Sequence, residues 1–269
     1  MKNIKLFGRV LKSELYVAFT SPIIYVSVIG IVFLSYFSSY QYINEISLSS
    51  DANSLYIFNL EIGDGWYIQL QYLLSALPAA LSFYGDWKNS YYIFCAIRLG
   101  ADAYCYSKCI SCIIITFLTM LIGLSVFTFY ICVTHPFVPN SLENTTFMSI
   151  YYSWVYNGHI IQYVIIHIIL VCIGAMIWSS VGLLFTIYQP DIYVAITTPF
   201  VSSYIMCRIM YNYLPDVFNL DRLVSGRVLV GNNELTTLGF TLIYILSILS
   251  LLIFCISRQV RRRLQNEVI

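Results

Sequence analysis

Charge is what this sequence has least of. Of 269 residues only 10% are charged while 59% are hydrophobic, against about 25% charged in an ordinary soluble domain. So few charges cannot cover a water-facing surface, and most of the exterior must face lipid. The net charge of +1 says nothing of nucleic acid, which is not expected as a partner. The ten-residue segments of alternating polarity that build a transmembrane β-barrel are also missing. So is the loop G-x-x-x-x-G-K-[ST], whose backbone N–H groups cradle phosphates, and the chain is therefore not expected to hydrolyse ATP.

Other chemistries lack their residues too. A metalloprotease needs paired histidines at helical spacing, but His135, His159 and His167 are dispersed. Ser179-Ser180 has no histidine base close by in the sequence, which argues against the simplest intramembrane serine nucleophile. Charges near mid-membrane are scarce, which argues against proton or sodium coupling. With the first turns of the long run 103–133, which carry Lys108, read as extending into water, Arg208 is the sole charge inside a span. It is read as snorkelling to the outer headgroups, with an outer-gate or substrate contact, or pairing with Asp216, as the functional alternative. The cysteines avoid the interior of the outer loops, so no disulfide framework is expected. Cys105, Cys109 and Cys112 share a helical face and are read as small packing residues rather than metal ligands. No cofactor or metal is expected on this chain.

What is present is length and apolarity. A hydrocarbon core about 30 Å thick takes about 20 apolar residues as a helix. Six runs qualify, at about 22–40, 67–84, 103–133, 160–188, 192–213 and 235–257. The expected fold is all-α, a polytopic membrane protein with six transmembrane helices forming one domain over 1–269. Unpaired peptide groups are too costly in lipid for strands. Pro78 and Pro199 should kink spans two and five. Small residues at Ser75, Ala76, Ala79 and Ala80, and at Ala175, Ser179 and Gly182, suggest close helix approach, with a dimer interface as the expected use.

Basic residues gather on one side. Lys2, Lys5, Arg9, Lys12, Lys88, Arg98, Lys108, Arg258, Arg261, Arg262 and Arg263 are eleven of the fourteen. The loops over 41–66 and 134–159 carry Glu45, Asp51, Glu61, Asp64 and Glu143 but no Lys or Arg. Cytoplasmic loops retain basic residues, so both termini are expected in the cytoplasm of a multi-pass cell-membrane protein, with a basic tail over 258–269. Asn144-Thr145-Thr146 is a glycosylation sequon in an outer loop; whether it is used depends on the host.

The first twenty residues do not read as a signal peptide: the apolar run starts only after Lys12 and Glu14, with no cleavage site of small residues. Lys2, Lys5, Arg9 and Lys12 share one side of a helix, and Ile4, Phe7, Leu11 and Leu15 the other. An amphipathic helix in the inner interface is expected, its apolar face among acyl chains and its basic face toward anionic headgroups. Ser21 is placed to cap the first span, with Pro22 in its first turn.

Between spans two and three lies "GDWKNSYYIFCAIRLGADAYCYSK". Asn89 or Ser90 caps a short helix over 91–99, Gly100 closes it in a left-handed conformation, and Asp102 caps span three. Two turns are marginal alone in water, so this helix needs a surface. Either the lipid interface or a groove on a cytoplasmic partner supplies one.

These parts together resemble an ATP-binding-cassette transporter permease of the type-2 export family, over most of the chain and as architecture more than identity. The likeness rests on the basic helix ending in "FTSP", Asp86 closing span two and the short helix with Arg98. It rests also on Tyr104 and Lys108 leading into span three, the last outer loop "YLPDVFNLDRLVSG", and the basic tail. In that family the helix between spans two and three is a coupling helix seated in a cleft of the ATPase. The resemblance implies that Tyr91, Tyr92 and Phe94 make this contact, that Arg98 is an ionic anchor, and that Asp86, Lys88, Asp102 and Lys108 mark the ends of the loop. Lys2 to Phe19 would be the elbow helix. Asp86 stands where many relatives have Glu, which leaves its role open. ATP and Mg would be bound by a separate soluble ATPase subunit, and a second permease chain, identical or related, would complete the path. Twenty-four Tyr and seventeen Phe suit an amphipathic cargo such as a peptide, drug or lipid-like compound, and suit aromatic belts equally. The alternative from another class is a motor-independent transporter or a membrane scaffold.

Overall fold

The computed structural model describes residues 2–46, 58, 67–135, 149–231 and 233–268. Asp51, Glu61, Asp64, Glu143 and the sequon at Asn144 lie outside the described residues. Among those described, all regular structure is helical. The helices are α1 (Lys2–Thr20), α2 (Pro22–Ile46), α3 (Tyr67–Lys88), α4 (Tyr91–Leu99) and α5 (Ala101–Thr134). They continue with α6 (Ser153–Tyr156), α7 (Ile160–Tyr188), α8 (Ile192–Tyr213), α9 (Leu220–Val224) and α10 (Glu234–Val268).

Five of the described helices, α2, α5, α7, α8 and α10, are long and apolar enough to cross a membrane. The second expected span, α3, is a helix of the right length that falls short in apolarity. Gln69, Gln71 and Ser75 lower it, and all three are buried inside the bundle. There Gln71 Nε2 donates to Ser35 Oγ of α2 at 3.1 Å. In a membrane, polar side chains sit where other helices supply their partners, and α3 packs against α2, α5, α7 and α8.

The small residues work within the chain. Ser75, Ala76, Ala79, Ala80, Ala175 and Ser179 are all buried in a single molecule. A Cβ on Gly182 of α7 would come within 2.7 Å of the Pro199 ring of α8. The expected dimer interface on these faces is thus corrected: they are filled by the chain's own helices. The cysteines follow suit, since none of the eight is in a disulfide and Cys105, Cys109 and Cys112 are buried in the core.

Two boundaries differ from expectation. α10 runs without a break through Arg258–Arg263, so the basic tail continues the last long helix. α5 opens at Ala101 with Gly100 as its N-cap. Asp102 is therefore the second residue of the helix and not its cap; its side chain lies outside the described residues. Gly100 has the expected positive φ of 85°, but its ψ of 142° is extended. The chain turns directly from α4 into α5, leaving no room for a separate left-handed closure. Ser21 behaves as expected, its Oγ accepting from Ile23 N–H at 3.3 Å.

Candidate functional site at the basic end

At the end of the bundle that carries Lys88, Lys108 and Arg258–Arg263, five helices converge on the loop containing α4. The last turn of α3 supplies Asp86 and Trp87, the first turns of α5 supply Tyr104 and Lys108, and α1 supplies Glu14. Lys108 is buried, its side chain only 5% exposed. Its ammonium pairs with Asp86 Oδ2 at 2.6 Å and also with Glu14. The Tyr104 hydroxyl donates to Asp86 Oδ2 at 3.4 Å. One cation thus holds two carboxylates from two other helices, which binds α1, α3 and α5 into one unit.

Glu14 was not among the expected site residues, though the sequence carried a signal for it. At 100° per residue Glu14 falls among Phe7, Leu11 and Leu15, on the apolar side of α1. A carboxylate there needs a partner, because burying an unpaired charge is costly. The same contact corrects the expected environment of α1. Its apolar side packs on α5, where Leu15 and Ala18 meet Tyr104, Cys105 and Cys109, and not wholly among acyl chains. Arg9 and Lys12 are exposed as expected, while the side chains of Lys2 and Lys5 lie outside the described residues.

α4 is fixed by aromatic stacking. The Tyr92 ring lies on the Trp87 indole, centroids 4.1 Å apart and planes 13° from parallel. Tyr92 is only 4% exposed, so it anchors α4 to α3 and is not free to touch a partner, contrary to expectation. The Arg263 guanidinium sits 5.2 Å from the Trp87 ring and donates to the Tyr188 carbonyl at 2.6 Å. The ends of α7 and α10 are thereby tied to the same indole. Trp87 and Arg263 were both missed, since nothing local marks which aromatic ring a distant arginine will meet.

Tyr91 and Phe94 face outward, 53% and 64% exposed. The hydrogen bond to Cys95, with smaller contributions from the fields of Asp86 and Glu14, pushes the Tyr91 phenol above its ordinary pKa. Burial raises the Cys95 thiol likewise. Ser90 precedes α4 with φ at 54°, and Lys88 is exposed with its ammonium 5.9 Å from the Tyr84 ring. Arg98 lies in the last turn of α4, and its side chain is outside the described residues. Arg208 is far along α8, exposed, its guanidinium 5.5 Å from the Tyr204 ring. The expected alternative partner of Arg208 is engaged elsewhere, because Asp216 pairs with Arg222 at 2.5 Å.

A second cluster occupies the opposite end. Ser149 Oγ and His167 Nε2 lie 2.9 Å apart, with His167 buried among Phe58, Tyr151 and Tyr163. His167 Nδ1 has no hydrogen-bond partner among the described residues. A nucleophilic serine needs its base oriented by a third group. What the pair does is fasten the segment before α6 onto α7.

No family model, curated protein or solved structure matches the chain.

Proposed function

We propose that this chain is the membrane subunit of an ATP-driven exporter, energised through α4 by a separate soluble ATPase. In this reading α3 is a sixth span, buried polar residues notwithstanding, and both termini are cytoplasmic, as the distribution of Lys and Arg suggests. The observation that carries the reading is the construction of α4. It is a helix of nine residues, too short to be stable alone, yet it is held by a stacked ring on one side. On the other it presents Tyr91 and Phe94 to whatever lies beyond. A large exposed aromatic pair beside Lys88 suits docking into a groove better than facing water.

The mechanism is one of linkage. A groove that moves when ATP binds displaces α4. Because Tyr92 is stacked on Trp87, and Asp86 is paired with Lys108, the displacement passes to α3 and α5 together. A two-state membrane bundle biased in this way alternates its access. This chain supplies the lever and the path, while ATP and Mg belong to the ATPase subunit. An amphipathic peptide, drug or lipid-like compound is the proposed cargo class, and a second permease chain completes the path.

The test is co-purification of the full chain with a Walker-motif ATPase, sought first in the neighbouring reading frame. Tyr91→Asp and Phe94→Asp should each abolish association and vanadate-sensitive ATPase stimulation while the helices remain inserted. Association that survives both substitutions would remove the coupling role and favour a motor-independent transporter or scaffold.

A further inference from the structure

A groove of about 920 Å³ runs up one side of the bundle between α7, α8 and α10. That volume is within the range that holds a small organic ligand. Val181 and Phe185 of α7, Val201 and Ile205 of α8, and Ile248 and Leu252 of α10 supply much of its lining. Beside it α7 and α8 approach closely, where Gly182 meets the Pro199 ring. The lining of α8 extends from Val194 to Met210, about 24 Å at about 1.5 Å per residue. The slot therefore covers most of a hydrocarbon core about 30 Å thick.

Its two mouths differ. At one, Tyr188 and Gln189 line the groove, and Arg263 reaches over from α10 to donate to the Tyr188 carbonyl. That contact leaves other N–H donors of the guanidinium available. Among the described residues no carboxylate pairs with Arg263, nor with its exposed neighbours Arg258 and Arg262. At the other mouth Leu220 and Tyr244 form the rim, and nearby Arg222 is already neutralised by Asp216. An apolar slot of membrane length is thus headed at its Tyr188 end by a cluster of unneutralised arginines, while toward the other mouth the single exposed Arg208 lies against the Tyr204 ring.

We infer that the groove holds an anionic phospholipid, its phosphate on Arg263 and an acyl chain between Phe185 and Val201. Arginine binds phosphate oxygens through paired N–H donors, and basic pockets between membrane helices suit anionic headgroups. A second copy of this chain fits the groove less well. Two copies inserted the same way would bring Arg258, Arg262 and Arg263 against their own counterparts, like charge on like. The inference requires insertion in a membrane but no motor, so it stands or falls apart from the proposed function.

The experiment is native mass spectrometry of the full chain, purified in mild detergent after exchange with vesicles of equal phosphatidylglycerol and phosphatidylcholine. Wild type should retain phosphatidylglycerol over phosphatidylcholine by about fivefold, the effect of about one basic contact. Arg263→Gln should abolish the preference, Arg263→Lys should keep part of it, and Val201→Trp should abolish retention by filling the slot. Arg222→Gln should change neither. Circular dichroism and gel filtration confirm that each variant is folded, and the Lys and Gln pair at position 263 separates charge from fold. Equal retention of both lipids, retention that survives Arg263→Gln and Val201→Trp, or a two-chain species that excludes lipid from the groove would each overturn the inference.

Discussion

The Lys108 ammonium and the Glu14 carboxylate, separated by 94 residues in the chain, form a buried ion pair between α5 and α1. Asp86 of α3 shares the same ammonium at 2.6 Å. An arrangement of two carboxylates on one cation is sensitive to which member is removed, because the remaining charges keep their desolvation without their compensation.

Lys108→Met is therefore expected to cost about 3–5 kcal/mol, as for a buried pair that loses one partner. Thermal unfolding in detergent measures it. Adding Glu14→Gln and Asp86→Asn to Lys108→Met should recover most of the loss. A triple variant no more stable than the single one would show that the cluster does not act as a unit.

Tyr92 and Phe94 stand two residues apart in α4 but should respond oppositely. Tyr92→Ala removes the ring stacked on Trp87 and should cost about 3–5 kcal/mol, the range for deleting a buried aromatic. Hydrogen exchange in α4 should quicken with it. Phe94→Ala, on the exposed side, should leave stability within about 0.5 kcal/mol while weakening ATPase association. Equal destabilisation by the two would contradict the burial pattern.

Gly182→Ala places a methyl group 2.7 Å from the Pro199 ring. Neither the ring nor the helix backbone can yield cheaply, so overpacking of about 1–3 kcal/mol is expected. The melting temperature should fall accordingly. An unchanged value would mean that α7 and α8 are not in contact there.

Burial raises the pKa of Asp221 in α9, against the lowering effect of Arg227 and Arg222. A raised folded pKa favours the protonated form. Its contribution to stability is complete below the ordinary carboxylate pKa of about 4 and is lost as pH rises through the higher folded value. Amide protection factors in Leu220–Val224 should accordingly decline from pH 4 toward neutrality. In Asp221→Asn that decline should vanish, and its persistence would assign the effect to another group.

Much of the helical layout was legible because it depends on local properties. In lipid the peptide groups must be satisfied within each segment, so an apolar run of sufficient length becomes a helix whatever surrounds it. Expected spans four and five coincide with α7 at Ile160–Tyr188 and α8 at Ile192–Tyr213, and the short helix at Tyr91–Leu99 likewise. The gathering of Lys88, Lys108 and Arg258–Arg263 at one end was equally readable, although the structure carries them on helices and not in loops.

Tertiary structure decided which side chains meet. Glu14 finding Lys108, Tyr92 turning under Trp87, Arg263 crossing to Tyr188, and Ser149 meeting His167 all join positions whose pairing no local pattern encodes. The small residues of α3 and α7 show the limit most clearly. Sequence marked them as sites of close approach, but close approach within one chain and between two chains require the same residues. Only the relative placement of whole helices, summed over many weak contacts, separates the two.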